Sequence, residues 1–513
     1  MPASRWKAGN ITNDRPFGID VPNGLFPPPG SGAVFLAFPQ QIRYTVLKFH
    51  RVFRRGMKRI GIGKKHLSWT SAQIIPLGFL LLIAVGTVLL LLPAATAAGE
   101  RTSLLTALFT STTSVCVTGL VVVDTYAHWS LFGQIVILLL IQLGGIGVIA
   151  VSSSVLLMLR RRLSIRDRVL LRDAFNLDSV TGMISFLRSV LIGVFSVEGV
   201  GAFLYAFAFV PRFGWAKGIW YSVFHSISAF CNAGIDILGP DSLAAYASDP
   251  LVLLVTAALI VIGGLGFIVW FDLAALGKRA LTKKHASVRL SGHTVLVLLL
   301  TGGLILLGGF LVFLSEFRNP KTIGNMPLWQ QILNSLFQSV TLRTAGFSAI
   351  PQGDLNGASV LVGCLLMFIG GSPMGTAGGV KTVTVFLLIV NAGSFIRNRR
   401  ETLVFHRHVS AALIRKATAV ILISGSLCLV MSTALLLIEP LPFADILYEV
   451  FSATGTVGLS RGVTTALSPL GRLLIIICMY LGRIGPVSLA LFFGADDSAK
   501  NEIHHANGRF FVG

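Results

Sequence analysis

The 513 residues are 54% hydrophobic and only 12% charged, against roughly 25% charged in an average soluble domain. Such a chain cannot wrap polar surface around several soluble cores, which excludes a soluble multidomain protein, whole-chain disorder and a secreted disulfide scaffold, and leaves a multi-span membrane protein. The net charge of +21 raises nucleic acid as a partner, but basic residues also collect on the cytoplasmic side of spanning helices.

Residues 1–70 read as a cytoplasmic N-terminal extension. Positions 1–40 are rich in Gly, Pro and Asn without steady periodicity, which predicts disorder. Over 41–66, Ile42, Val46, Phe49, Phe53 and Met57 recur at helical spacing, with Arg43, Lys48, Arg51, Arg54, Arg55, Lys58 and Arg59 around them. That pattern describes a basic amphipathic helix for an anionic inner leaflet, with docking onto a partner protein as the alternative. No apolar run follows Met1 directly, so a cleaved signal peptide is not expected and the first span serves as an anchor.

Eight long apolar stretches follow, at about 72–97, 129–158, 183–211, 250–276, 292–315, 357–395, 411–438 and 468–494. Each is near the roughly 20 residues needed to cross the hydrocarbon core. Between successive pairs lie shorter segments at about 102–115, 218–230, 328–342 and 444–454. These are too short to span as helices, and re-entrant half-helices are the natural reading. The five cysteines, Cys116, Cys231, Cys364, Cys428 and Cys478, show no metal-ligand or CxxC spacing and read as small buried hydrophobes.

Charge placement orients the chain. Lys and Arg number 12 before residue 66, seven in 160–188, five in 278–289 and six in 397–416. Arg101, Arg212, Lys217, Arg318, Lys321, Arg461 and Arg472 fall on the other face. Both termini are therefore expected in the cytoplasm, with the short segments entering from outside. The basic excess follows the membrane topology, which removes the case for nucleic acid.

An internal repeat sets the architecture. Each short segment is followed by a tetrapeptide: Val117-Thr118-Gly119-Leu120, Asn232-Ala233-Gly234-Ile235, Thr344-Ala345-Gly346-Phe347 and Thr456-Val457-Gly458-Leu459. The central glycines are 115, 112 and 112 residues apart. Phe109, Phe224, Phe337 and Phe451 mark the half-helices upstream, and Gly144-Gly145, Gly263-Gly264, Gly370-Gly371 and Gly482-Arg483 mark the next span. The glycine pairs suit close helix packing, which does not explain glycine at one point of four non-spanning segments. The expected fold is all-α: eight transmembrane helices in four span–pore-helix–span repeats around a pseudo-fourfold pore. The repeats cover 71–160, 181–278, 290–397 and 409–495, with a tail at 496–513.

The chemistry follows. Half-helices ending near mid-membrane aim their negative ends at a common axis. Glycine tolerates dihedrals that turn carbonyl oxygens inward, and a ring of carbonyls replaces the hydration shell of a bare monovalent cation. The candidate ring is Val117, Thr118, Gly119, Asn232, Ala233, Gly234, Thr344, Ala345, Gly346, Thr456, Val457 and Gly458.

The sequence resembles the potassium-translocating subunit of the Trk/Ktr/HKT superfamily over about residues 70–495. The matching stretches are TSVCVTGLVVVDT (113–125), FCNAGIDIL (230–238), TLRTAGFSAI (341–350) and SATGTVGLSRG (452–462). The resemblance implies potassium bound at the filter carbonyls, because all four filter positions hold glycine; serine at the first goes with sodium transport in some plant members. Eight spans are closest to the Ktr-type membrane subunit. The resemblance further implies a homodimer in the plasma membrane and a separate cytoplasmic nucleotide-binding regulatory ring. No organic cofactor is expected, and sodium stands as a second ion.

The third repeat departs from the pattern. Five glycines and a proline lie within Gly370-Gly371-Ser372-Pro373-Met374-Gly375-Thr376-Ala377-Gly378-Gly379, which breaks a helix. This looks like the family's intramembrane gating loop, spanning 370–380. Lys381, just beyond, contacts headgroups or the loop, or simply snorkels. In the fourth repeat Arg483 replaces the second glycine, at an insertion cost of roughly 2.5–3.5 kcal/mol. It is expected to face the cavity and bond loop carbonyls, with an ion pair to Glu198 as the structural alternative. Asp124 and Asp236 follow the first two filters, where they enrich cations at the outer mouth or cap turns. Arg343 is expected to pair with an acidic neighbour, and His225 to be packed.

Two other function classes are weighed. A coupled secondary transporter usually shows two inverted repeats, whereas four like-oriented ones appear here; coupling to sodium or protons leaves no mark in the sequence. An intramembrane enzyme lacks support, since no H-E-x-x-H, paired membrane aspartates or Ser–His arrangement is present.

Overall fold

The computed structural model describes residues 71–147, 153, 182–281 and 290–485, all within one compact unit, Trp69–Gly513. The extension with its expected helix over 41–66, most of 148–181 and the tail beyond 485 lie outside the described residues.

Fourteen helices of 12 or more residues carry the described fold. Four are long and apolar: α1 (Ser71–Leu90), α4 (Met183–Phe213), α8 (Gly292–Glu316) and α12 (Ala411–Ile438). Each is followed by a shorter helix ending just ahead of a glycine tetrapeptide: α2 (Leu104–Cys116), α5 (Trp215–Phe230), α9 (Leu328–Thr341) and α13 (Phe443–Gly455). After each tetrapeptide comes another apolar stretch: α3 (Leu131–Ile146), then α6 (Pro250–Gly264) with α7 (Phe267–Leu281), then α10 (Gly357–Phe368) with α11 (Thr382–Ile396), and finally α14 (Pro469–Ile484). A two-residue hairpin, Leu403–Val404 against Arg407–His408, precedes α12.

Composition and length qualify four described helices as membrane spans, or five if the bent pair α6–α7 counts as one. Their outward faces are apolar: Leu306 and Phe310 on α8 and Leu437 on α12 are more than half exposed. Apolar surface on this scale needs lipid around it, and the protein is a multi-pass membrane protein.

The stretch expected as one span over 250–276 is instead bent by 105° after Gly264. Gly266 at the bend has φ +93°, and a side chain there would collide with the Pro373 carbonyl. The bend frees the Gly263 and Gly264 carbonyls, which accept from Thr376 N–H and Ser372 N–H at 3.0 Å each. The expected break at 370–380 is present between α10 and α11, closed at its base by Gly370 N–H to the Val380 carbonyl (2.9 Å).

Helix starts follow capping chemistry. Ser103, Ser130, Asp249, Ser291 and Ser468 accept backbone N–H bonds at the starts of α2, α3, α6, α8 and α14. Buried carboxylates lock two long helices to the next stretch. Glu316, at the end of α8, accepts from Asn319, Thr322 and the Asn356 N–H. Glu439, after α12, accepts from the Ser468 N–H and hydroxyl. All five cysteines are buried and unpaired, as expected of small core residues.

Candidate functional site

The four tetrapeptides share one backbone. Val117, Asn232, Thr344 and Thr456 have φ of 55°, 58°, 71° and 50°, and Gly119, Gly234, Gly346 and Gly458 have φ of 99°, 64°, 86° and 100°. Positive φ is costly for Val and Thr and signals a functional constraint. Each tetrapeptide thus alternates positive φ at its first and third positions with ordinary φ between them.

The four turns also meet head to tail. A side chain on Gly119 would strike the Ala233 carbonyl, one on Gly234 the Ala345 carbonyl, one on Gly346 the Val457 carbonyl, and one on Gly458 the Thr118 carbonyl. Each of these approaches is under 3.0 Å. The sequence of contacts, first to second to third to fourth to first, is a closed ring. The structure thus brings all twelve candidate filter residues together. Thr118 and Thr456 hydroxyls within it are buried with no hydrogen-bond partner. The Asn232 side chain is turned away: its amide nitrogen donates to the Ala229 and Ile260 carbonyls at 3.1 and 3.2 Å in the orientation that satisfies both ends.

Sequence reasoning missed the hydroxyls that brace this ring. Thr113 and Ser452 accept from the Gly119 and Gly458 N–H groups at 2.9 and 3.0 Å. Ser228 and Thr341 donate to the Ile235 and Phe347 carbonyls at 2.6 and 2.7 Å. The signal was available as a Ser or Thr five or six residues before every filter glycine. Behind the ring, glycine on the next helix lets backbone meet backbone. Gly144, Gly263 and Gly482 press on the Val115, Phe230 and Thr454 carbonyls, leaving no room for a Cβ. In the third repeat Gly370 meets the Gly378 carbonyl of its own loop instead.

The broken segment lies against the ring. Gly378 N–H donates to the Thr344 hydroxyl (3.2 Å), and the Thr376 hydroxyl donates to the Phe230 carbonyl (3.0 Å). Lys381 Nζ reaches back to the Ala377 carbonyl at 2.7 Å. Gly371 and Gly375 face the bend at Gly264, and Gly379 has φ +65° against Gly370. Arg483 donates to the Thr376 carbonyl of this loop at 2.8 Å and to the Gly144 and Gly145 carbonyls at 2.6 and 3.4 Å. It makes no ion pair with Glu198, whose carboxylate takes the Gln142 amide at 2.9 and 3.0 Å. Carbonyls, not a carboxylate, satisfy this guanidinium.

Three further expectations resolve. Asp124 caps the turn at Thr125–His128 through the Tyr126 N–H, and Asp236 accepts from the Leu238 N–H at 3.2 Å. Both side chains therefore cap turns, which leaves their charges in place beside the tetrapeptides. Asp236 lies in the loop beyond the second tetrapeptide. Burial, partly offset by hydrogen bonds from Ser242 and Leu238 and helped by the Asp124 charge, raises its carboxyl to about 6. His225 is packed among Tyr205, Phe209, Phe224 and Phe347. Arg343 does not pair with an acidic neighbour, since no ion pair or side-chain hydrogen bond reaches it among the described residues. Among the described residues no group of three or more His, Cys, Asp or Glu is placed to hold a metal ion.

Long apolar helices, a ring of left-handed turns at the ends of four shorter ones and a broken helix packed against that ring fit a membrane protein of the cation-transport class. The family model for the TrkH cation transport proteins matches residues 64–502, and the chain belongs to that family. It is similar to the potassium/sodium uptake protein NtpJ of Enterococcus hirae, at 38% identity over 82% of this chain and 92% of that one. The Ktr system potassium uptake protein B of Bacillus subtilis is 36% identical over 88% of this chain and 98% of the relative. The crystal structure of the potassium transporter TrkH from Vibrio parahaemolyticus shares the fold, with a TM-score of 0.67 at 16% identity, covering 88% and 91% of the two chains.

Proposed function

We propose that this chain takes up potassium across the plasma membrane through a filter of backbone carbonyls contributed by its four repeats. The observation that carries the reading is the closed head-to-tail ring in which the first and third position of every tetrapeptide has positive φ. Such a ring offers dipoles in place of an ion's water, with no fixed negative charge to trap the ion. The eight crossings complete a pseudo-fourfold pore, with α2, α5, α9 and α13 entering from outside and both termini in the cytoplasm. The loop 370–380 acts as the gate, held shut by Arg483 from the fourth repeat. The names of the relatives, potassium uptake and potassium/sodium uptake proteins, agree with this reading. The homodimer and the cytoplasmic nucleotide-binding ring remain part of the proposal on the family resemblance. Purified chain in liposomes should carry K⁺ and Rb⁺ well ahead of Na⁺. Flux that does not distinguish these ions, or no flux with and without a regulatory ring, would overturn it.

The outer mouth supplies a pH test. The Asp236 carboxylate is ionised above about 6 and neutral below it, so its attraction for cations is lost as external pH falls through that value. Apparent potassium affinity should weaken by a few-fold between pH 7.5 and 5, and Asp236→Asn should flatten the dependence. An unchanged profile in that variant would remove Asp236 from the mouth.

A further inference from the structure

Three repeats place a small uncharged residue immediately before the filter: Cys116, Cys231 and Gly455. The third places Arg343 there. The residue is 7% exposed, and among the described residues no other lysine or arginine is so deeply buried. Its Nε is shielded and without a partner. Arg343 lines a small cavity with Asn232, Thr301 and Gly371, which places the residue beside the second filter turn, α8 and the loop. The Thr301 hydroxyl there is also buried and unpartnered. Arg483 and Arg461 show how this protein otherwise treats such a group: the first has three carbonyl acceptors and the second an aspartate, Asp445, at 2.6 Å.

The position matters as much as the missing partner. Arg343 lies just past the C-terminal end of α9, where the half-helix presents its negative end. In the other repeats that end is left to act on the ion. A unit charge in a low-dielectric surrounding, without a counter-charge, is poorly screened. Its field therefore reaches ions held by carbonyls one residue away.

We propose that Arg343 is the affinity-setting residue of the filter, a buried positive charge with no acidic partner among the described residues that loosens the bound cation and so speeds its exit. The inference rests on the filter reading and assigns the third repeat an electrostatic role distinct from the carbonyl ring. Over about 10 Å at an effective dielectric near 20, such a charge changes ion affinity by roughly tenfold.

The test measures K⁺ flux against concentration in liposomes, with equilibrium K⁺ affinity read from the K⁺ dependence of the melting temperature. Arg343→Gln should lower the half-saturating K⁺ concentration about tenfold and reduce maximal flux, while Arg343→Lys keeps both near wild type. Thr301→Asp leaves Arg343 in place but puts a counter-charge in its cavity, and should tighten affinity in the same direction. This second variant keeps the test decisive if Arg343→Gln does not fold. Unchanged or weakened affinity in Thr301→Asp, or a lysine variant that behaves like the glutamine one, overturns the proposal. Loss of K⁺ flux in the wild type would instead strike the filter reading itself.

Discussion

Gly119→Ala is expected to reduce K⁺ flux at least ~100-fold, and Gly119→Asp to abolish it. Two costs combine. The backbone sits at φ +99°, which an L side chain adopts at a cost of about 1–3 kcal/mol. The new Cβ would also lie 2.5 Å from the Ala233 carbonyl and 3.2 Å from the Cα atoms of Gly234 and Gly458. Those atoms belong to the neighbouring turns of the ring, so relief requires moving the oxygens that would face the ion. An error of about 1 Å in such a site costs far more in rate than in stability. Gly99→Ala is the control: it has φ +71° but open space around it, and should leave flux nearly intact. Rb⁺ uptake in an uptake-deficient cell, with expression matched, checks both. A fully active, selective Gly119→Ala protein would mean that the ring does not conduct.

The second large effect is expected at Arg483. Arg483→Gln should raise flux through the purified chain alone by roughly tenfold. The guanidinium ties the Thr376 carbonyl of the loop to the Gly144 carbonyl of the first repeat. Bonds from a charged donor are worth about 1.5–3 kcal/mol each, and their loss favours the displaced loop. The gain stops short of the full amount because Ser372, Thr376 and Gly378 keep their own ties to Gly264, Gly263, Phe230 and Thr344. If the proposed pore passes Arg483, removing its positive charge acts in the same direction. Arg483→Lys, with one point donor in place of a fork, should fall between. Lower flux in a folded Arg483→Gln protein would make the arginine a structural strut and not a latch.

Much of the helical order was legible in the sequence because apolar length and Gly/Pro punctuation are local signals. The segment expected at 102–115 is Leu104–Cys116, and that at 328–342 is Leu328–Thr341. The break at 370–380 was legible for the same reason, since five glycines and a proline leave no helix to defend. The bend at Gly264 was not. Three glycines within Gly263–Gly266 weaken the helix there, but what the bend accommodates is the loop of another repeat against Gly266, which the residues of 250–276 alone do not give. The partners of the charged residues were legible in part. Arg483 was expected to bond loop carbonyls, and it does so at Thr376, while the Gly144 and Gly145 carbonyls that share it and the Gln142 amide that takes Glu198 were not foreseen. A backbone oxygen more than three hundred residues away in the chain leaves no mark in the sequence.

The contact between Gly458 and the Thr118 carbonyl joins positions 340 residues apart in the chain. A ribosome making this protein must therefore deliver nearly the whole polypeptide before the first turn meets its last neighbour. Until α13 arrives, three quarter-turns stand in the bilayer with one side open, a long-range closure of the kind that makes folding slow. Nascent chains stopped ahead of residue 443 would hold most of the helices and still lack the fourth turn, so the ring cannot close before synthesis is nearly complete.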